Sequence, residues 1–226
     1  MHEFKPGPDP DFPYLNEFVY YPFPDPAEWN DDIIAVGGNL SPGMLLSAYK
    51  QGIFPWFNRE DPVIWQSPDP RLVIFPEKLH ISSSMKKIIS SNKFEITVNK
   101  EFYGVIKGCA EMYRPGQGGT WISDDIIDAY MELYRLGWAH SAEAWQDNEL
   151  VGGCYGIWID RAFFGESMFR KKSNASKAAF LSLAKMLFKC GVVFIDCQIP
   201  TPHLQSLGGE IISRSDFLAL LNNCLD

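Results

Sequence analysis

No Cys-x-x-Cys or His-x-x-x-His spacing occurs in this sequence, and its four histidines, His2, His80, His140 and His203, stand far apart. The usual local signatures of a zinc site are therefore missing, and no metal is expected. The five cysteines, Cys109, Cys154, Cys190, Cys197 and Cys224, are odd in number, scattered, and mostly set among apolar neighbours. That pattern favours reduced thiols over a disulfide framework and fits a cytoplasm. No apolar run has the length needed to span a bilayer, and Met1 to Pro10 show neither the basic start nor the apolar middle of a signal peptide. The expectation is a cytoplasmic protein with no membrane partner.

Positive charge is also scarce. A net charge of −8 argues against a general nucleic-acid binder, whose affinity rests on cations neutralising phosphates. The shortage is local, however. Residues 1–62 hold only Lys5, Lys50 and Arg59 against ten acids, whereas residues 161–189 hold Arg161, Arg170, Lys171, Lys172, Lys177, Lys185 and Lys189 against Glu166 alone. A basic face on an acidic protein can take one RNA end without coating RNA indiscriminately. Taken alone, the same cluster reads equally well as a solvated helix face.

What the sequence does have is apolar content, 46% over 226 residues, enough for a substantial core. Seven prolines in the first thirty residues exclude regular helix and point to an extended arm. Ser41-Pro42 starts a short helix over 41–52, with Leu45, Leu46 and Tyr49 as its apolar stripe and Gly52 as its stop. The turn-rich stretch from Ser67 to Arg71 suggests a boundary near residue 62, with a small N-terminal unit over 1–62 and a main domain over 63–226. Beyond it, Ser82–Ser91 and Asn99–Tyr113 show helical spacing on either side of a strand at Phe94–Val98, and Ser123-Asp124-Asp125 caps a further helix that Gly137 ends.

From residue 139 the period shortens. The segments Ala139–Gln146, Glu149–Ile159 and Ala162–Phe169, separated by Asp147-Asn148 and Asp160-Arg161, read as an antiparallel meander with tight turns. Helix then returns over Asn174–Lys189, followed by a buried strand over Val192–Gln198. Strands, then helix, then strand predict a mixed α/β (α+β) sheet that the last helix crosses.

The chain also carries Gly37-Gly38-Asn39-Leu40-Ser41-Pro42, Gly52-Ile53-Phe54-Pro55-Trp56-Phe57 and Trp65-Gln66-Ser67-Pro68-Asp69-Pro70-Arg71. Gly119-Thr120-Trp121-Ile122, Gly165-Glu166-Ser167-Met168-Phe169, Asn174-Ala175-Ser176-Lys177 and Ile195-Asp196-Cys197-Gln198 follow in that order. Together these motifs closely resemble the leucyl/phenylalanyl-tRNA–protein transferase family, from about residue 23 to about residue 218. The resemblance implies a small N-terminal domain followed by an N-acetyltransferase-like domain with a mixed, largely antiparallel sheet. It also implies an aminoacyltransferase that moves Leu or Phe from aminoacyl-tRNA to proteins beginning with Arg or Lys. A monomer without cofactor is expected. Arg114-Pro115-Gly116-Gln117-Gly118-Gly119 only superficially matches the pyrophosphate loop of acetyl-CoA enzymes, because Gln117 replaces the first required glycine.

Residue by residue, the resemblance makes Asp196 and Gln198 the catalytic pair, and their spacing of two places both on one face of the predicted strand. Taken on its residues alone, Asp196 equally reads as a strand cap. Glu166 would contact the aminoacyl end, although an ion pair with Arg170 or Lys171 is as good a reading of its spacing. Met168 and Cys154 would line the pocket for the Leu or Phe side chain. Trp56 and Trp121 would hold the 3′-terminal adenosine of tRNA, with core packing as the ordinary alternative; Trp65 and Trp145 are assigned to packing. Arg170, Lys171, Lys172 and Lys177, at the start of a helix, are the candidate contacts to the acceptor stem.

Overall fold

The computed structural model describes residues 5–112 and 120–225. Tyr113 and the glycine-rich segment up to Gly119, including the loop compared above with a pyrophosphate site, lie outside the described residues. The proline-rich arm forms one 3₁₀ turn, Pro26–Glu28, capped by Asp25. Elsewhere it runs irregularly across helix α1 (Pro42–Lys50), held by Gly43 N–H to the Leu15 carbonyl, Tyr21 N–H to Ser47 Oγ and Phe23 N–H to Gln51 Oε1. Gly43 permits the crossing, since a Cβ there would stand 2.5 Å from the Asn16 carbonyl oxygen.

Strands β1 (Ile33–Val36), β2 (Phe54–Pro55) and β3 (Ile64–Gln66) form a small antiparallel sheet with β3 in the middle. The large sheet is built from β4 (Arg71–Ile74), β5 (Glu95–Val98), β6 (Ala139–Gln146), β7 (Glu149–Ile159), β8 (Ala162–Arg170), β9 (Phe194–Asp196) and β10 (Glu210–Ile212). Its order is β10-β4-β9-β8-β7-β6-β5. Every pair is antiparallel except β8 and β9, which α5 (Ala175–Lys189) joins by a crossover. The expected meander, its first turn with positive φ at both Asp147 and Asn148, and the crossing helix are all present.

Side-chain alternation divides the core into two layers. Val73, Tyr155, Phe164 and Phe194 face a layer with α1, α3 (Phe102–Ala110) and α4 (Asp124–Arg135), while Leu72, Cys154, Phe163 and Ile195 face α2 (Ser83–Ser90) and α5. Two expectations are corrected at element ends. Helix α3 starts at Phe102 under a Glu101 cap; Asn99 has left-handed φ and instead accepts a hydrogen bond from Ser141 N–H. Strand β9 is limited to Phe194–Asp196, because Gln198 turns left-handed with φ 57.

The first turn of α5 packs onto β7 at Gly152, where a Cβ would stand 2.6 Å from Ala175 Cβ and 2.8 Å from the Ser176 nitrogen. Replacing Gly152 by Ala should therefore destabilise the protein by roughly 1–3 kcal/mol by overpacking. Chemical denaturation should show this as a lower midpoint with an unchanged m-value.

Candidate functional site

Strands β8 and β9 pair only at Ala162, Phe163 and Phe164 against Phe194, Ile195 and Asp196. Past that point they part. The chain after β9 stays with β4, through Cys197 N–H to the Leu72 carbonyl and Leu72 N–H to the Gln198 carbonyl, while β8 continues with β7 to Arg170. A cavity of about 430 Å³ opens in the gap, lined from both core layers, by Trp56, Trp121 and Tyr155 on one side and Cys154, Met168 and Phe180 on the other.

Asp196 lies beside this gap with no exposed surface. Its carboxylate takes two hydrogen bonds from Arg71, Nε to Oδ1 at 2.9 Å and Nη2 to Oδ2 at 2.7 Å. The guanidinium, itself buried, also donates to the Gly52 carbonyl and lies between the rings of Phe54 and Phe217, 4.9 and 4.3 Å from their centroids. Bidentate pairing between two stacked rings compensates the cost of taking both charges out of water. Asp196 does not line the cavity; it acts on it by accepting the N–H of Gln198 at 2.9 Å. The expectation that strand alternation points the two side chains the same way is thus replaced: Gln198 reaches the cavity because its left-handed backbone is fixed by Asp196.

Gln198 does line the cavity, and its Nε2 donates to Glu166 Oε1 at 3.1 Å. Glu166 owes its own position to a β-bulge. Gly156 pairs with Gly165 and Tyr155 with Ser167, so Glu166 is the extra residue of β8 and is turned out of the ladder. There its carboxylate also accepts hydrogen bonds from Tyr49 at 2.7 Å and Tyr130 at 3.1 Å, and the two phenol oxygens lie against each other. Glu166 has no ion pair among the described residues, so the alternative partners Arg170 and Lys171 are not used. Burial raises its pKa from an ordinary 4.5 to about 7, opposed by the hydrogen bonds it accepts and reinforced by the charge of Asp196. Burial, with the neighbouring Glu166 charge, keeps both phenols protonated well above their usual range.

The remaining residues singled out from the sequence separate into two groups. Met168 and Cys154 are cross-strand partners and both face the cavity, as do the side chains of Trp56 and Trp121. Trp65 is core, and Trp145 donates to Thr97 Oγ1 on the neighbouring strand. Arg170, Lys171 and Lys172 are exposed, Lys177 is half-buried, and Lys172 lies 3.8 Å from Asp147. Because Ala175 and Ser176 are buried against Gly152, side chains rather than helix amides present this basic surface.

Sequence reading missed Arg71, Tyr49, Tyr130 and His203, the last of which lines the cavity. A signal existed for Arg71, which opens the apolar run Leu72-Val73-Ile74-Phe75 and must bury a charge there. For Tyr49 and Tyr130 the sequence offers only an apolar helix stripe.

The cavity thus lies at a gap in the sheet, with aromatic walls and the carboxylates of Asp196 and Glu166 arranged around Gln198. Comparison with known proteins gives the class. Residues 38–69 match the N-terminal domain model of leucyl/phenylalanyl-tRNA protein transferase and residues 73–222 match the main model of the same family. A protein named leucyl/phenylalanyl-tRNA–protein transferase from an Anaeromyxobacter species is 49% identical over 208 residues, 92% of this chain and 88% of that one. Proteins of the same name from Saccharophagus degradans and Flavobacterium johnsoniae are each 48% identical, covering 96% and 93% of this chain and 89% and 99% of theirs. A GCN5-related N-acetyltransferase-like protein from Streptococcus suis overlaps 78% of this chain and 66% of its own at 12% identity and a TM-score of 0.39. The chain belongs to the leucyl/phenylalanyl-tRNA protein transferase family.

Two outcomes test the electrostatics. Asp196→Ala leaves Arg71 buried without its partner and should cost about 3–5 kcal/mol, measured by denaturant unfolding. Glu166, with its pKa raised on folding, contributes stability that is fully present below pH 4.5 and is lost as pH rises through about 7. Unfolding curves of Glu166→Gln between these limits should therefore fall less steeply with pH than those of the parent.

Proposed function

We propose that the chain transfers leucine or phenylalanine, with methionine a third donor the pocket can take, from aminoacyl-tRNA to the α-amino group of proteins beginning with Arg or Lys. On this reading it marks such proteins for degradation, works in the cytoplasm as a monomer, and uses no metal or cofactor. A small N-terminal unit followed by a main domain is part of the same proposal, with the division moved from residue 62 to between Gln66 and Arg71, because β3 completes the small sheet and β4 opens the large one. The observation that carries the reading is the convergence of Trp56, Trp121, Met168, Cys154, Glu166 and Gln198 on one cavity. Indoles suit a terminal adenosine, and a polarizable thioether beside a buried thiol suits both branched and planar side chains.

An aminoacyl ester is already activated, so the reaction needs a neutral amine and an oriented carbonyl. The amine nitrogen attacks the ester carbon, the new C–N bond forms, the C–O bond to the ribose breaks, and the ribose oxygen leaves with a proton. Much of the acceleration can come from alignment. Gln198 is held at its N–H by Asp196, at its carbonyl by Leu72 and at its amide nitrogen by Glu166, which leaves its side-chain oxygen to accept from the incoming amine. Asp196 serves as a positioning residue. An amide is a weak base; Glu166, titrating near neutrality, is the group in reach that can both attract an ammonium and take its proton.

A transfer assay with labelled Leu-tRNA and an Arg-initiated peptide tests the reaction, and no product sinks it. Trp56→Ala and Trp121→Ala should each weaken puromycin binding by about 1–3 kcal/mol, the value of stacking on one base. Calorimetric titration measures this, and unchanged affinity in both variants returns the indoles to packing.

A further inference from the structure

His203 is a half-buried side chain in the cavity wall, and its ring makes no hydrogen bond or ion pair with any described residue. Its position is fixed from below. Helix α6 (Pro202–Gln205) is capped by Thr201 Oγ1 on Leu204 N–H. The turn that follows is pinned where His80 N–H meets the Leu207 carbonyl and where Gly208 leaves no room for a Cβ, which would stand 1.9 Å from the Lys78 carbonyl oxygen.

Two cations stand beside this imidazole. Arg170 is the cross-strand partner of Gly152, so it lies on the sheet face that receives the first turn of α5, and Lys177 belongs to that turn. Together with burial, the larger effect, their charges hold the ring neutral below its usual titration range. Neither cation has an ion-pair partner among the described residues. Arg170 lies two residues beyond the cavity-lining Met168 on β8, and Lys177 one turn before the cavity-lining Phe180 on α5, so both cations stand at the rim on the side that His203 occupies.

Resting on the aminoacyl-tRNA reading above, we propose that His203, Arg170 and Lys177 bind the phosphate on the 5′ side of the terminal adenosine. This separates them from Lys171 and Lys172, which are exposed on the turn before α5, Lys172 beside Asp147. A phosphodiester is the chemistry that fits: it is anionic at all working pH values, offers two acceptor oxygens, and lies one sugar away from a base stacked in the cavity.

The test uses two donors that differ only in this group, 3′-phenylalanyl-adenosine and its 5′-phosphorylated form, with an Arg-initiated peptide as acceptor. The parent should show a higher kcat/KM for the phosphorylated donor. His203→Ala and Lys177→Ala should each reduce that preference about tenfold, the usual effect of losing a hydrogen bond or charge contact to an ionised group. His203→Gln, which keeps a donor, should recover part of it. An unchanged preference in His203→Ala overturns the assignment. Failure of the parent to use either donor overturns the aminoacyl-tRNA reading itself, a result that no rim variant can mimic.

Discussion

The buried pair between Arg71 and Asp196 is the interaction on which the site depends. Strands β4 and β9 pair at Val73 with Asp196 and Ile74 with Ile195, and two further backbone bonds join Leu72 to Cys197 and Gln198 just beyond. The ion pair spans the same two strands, and its aromatic bracket draws Phe54 from the small sheet and Phe217 from the C-terminal helix, Arg214–Asn222, onto one guanidinium. The three regions are thereby registered against one another. A hydrophobic pair of equal volume can match such a contact in energy, but it carries no hydrogen bond to the next backbone amide. Here that bond, to Gln198, transmits the position of the core into the cavity.

Glu166 is the second half of this arrangement and works in the opposite sense. Asp196 is fixed by a guanidinium and a backbone amide, whereas Glu166 is held by two phenols and one side-chain amide, all of them neutral, at the edge of a cavity. Two carboxylates joined through one glutamine therefore sit among different partners, one charged and the others neutral, and it is the second whose burial raises its pKa.

Much of this was legible in the sequence, and the division follows the range of the interactions. The meander, its turns and α5 announce themselves through periods of two and 3.6 and through Asp147-Asn148, all local signals. Six of the residues singled out from the sequence, Trp56, Trp121, Cys154, Glu166, Met168 and Gln198, do line one cavity. The bulge at Glu166 and the left-handed turn at Gln198 were not legible, because a bulge is a relation between two strands and a left-handed glutamine has no compositional mark. Strand β9 ends at Asp196, two residues short of Gln198, so the shared face expected for the two side chains is one the backbone does not make. Tyr49 and Tyr130 escaped for a related reason: 81 residues apart, each looks like core until the other is beside it.

The parting of β8 from β9 leaves β8 beyond Phe164 without a strand neighbour on that side. A sheet ordinarily exposes such an edge at its rim, where any extended segment can add to it. Here the same edge, from Gly165 to Met168, forms part of the cavity lining, so the main chain of the sheet, and not side chains alone, borders the space a ligand would enter.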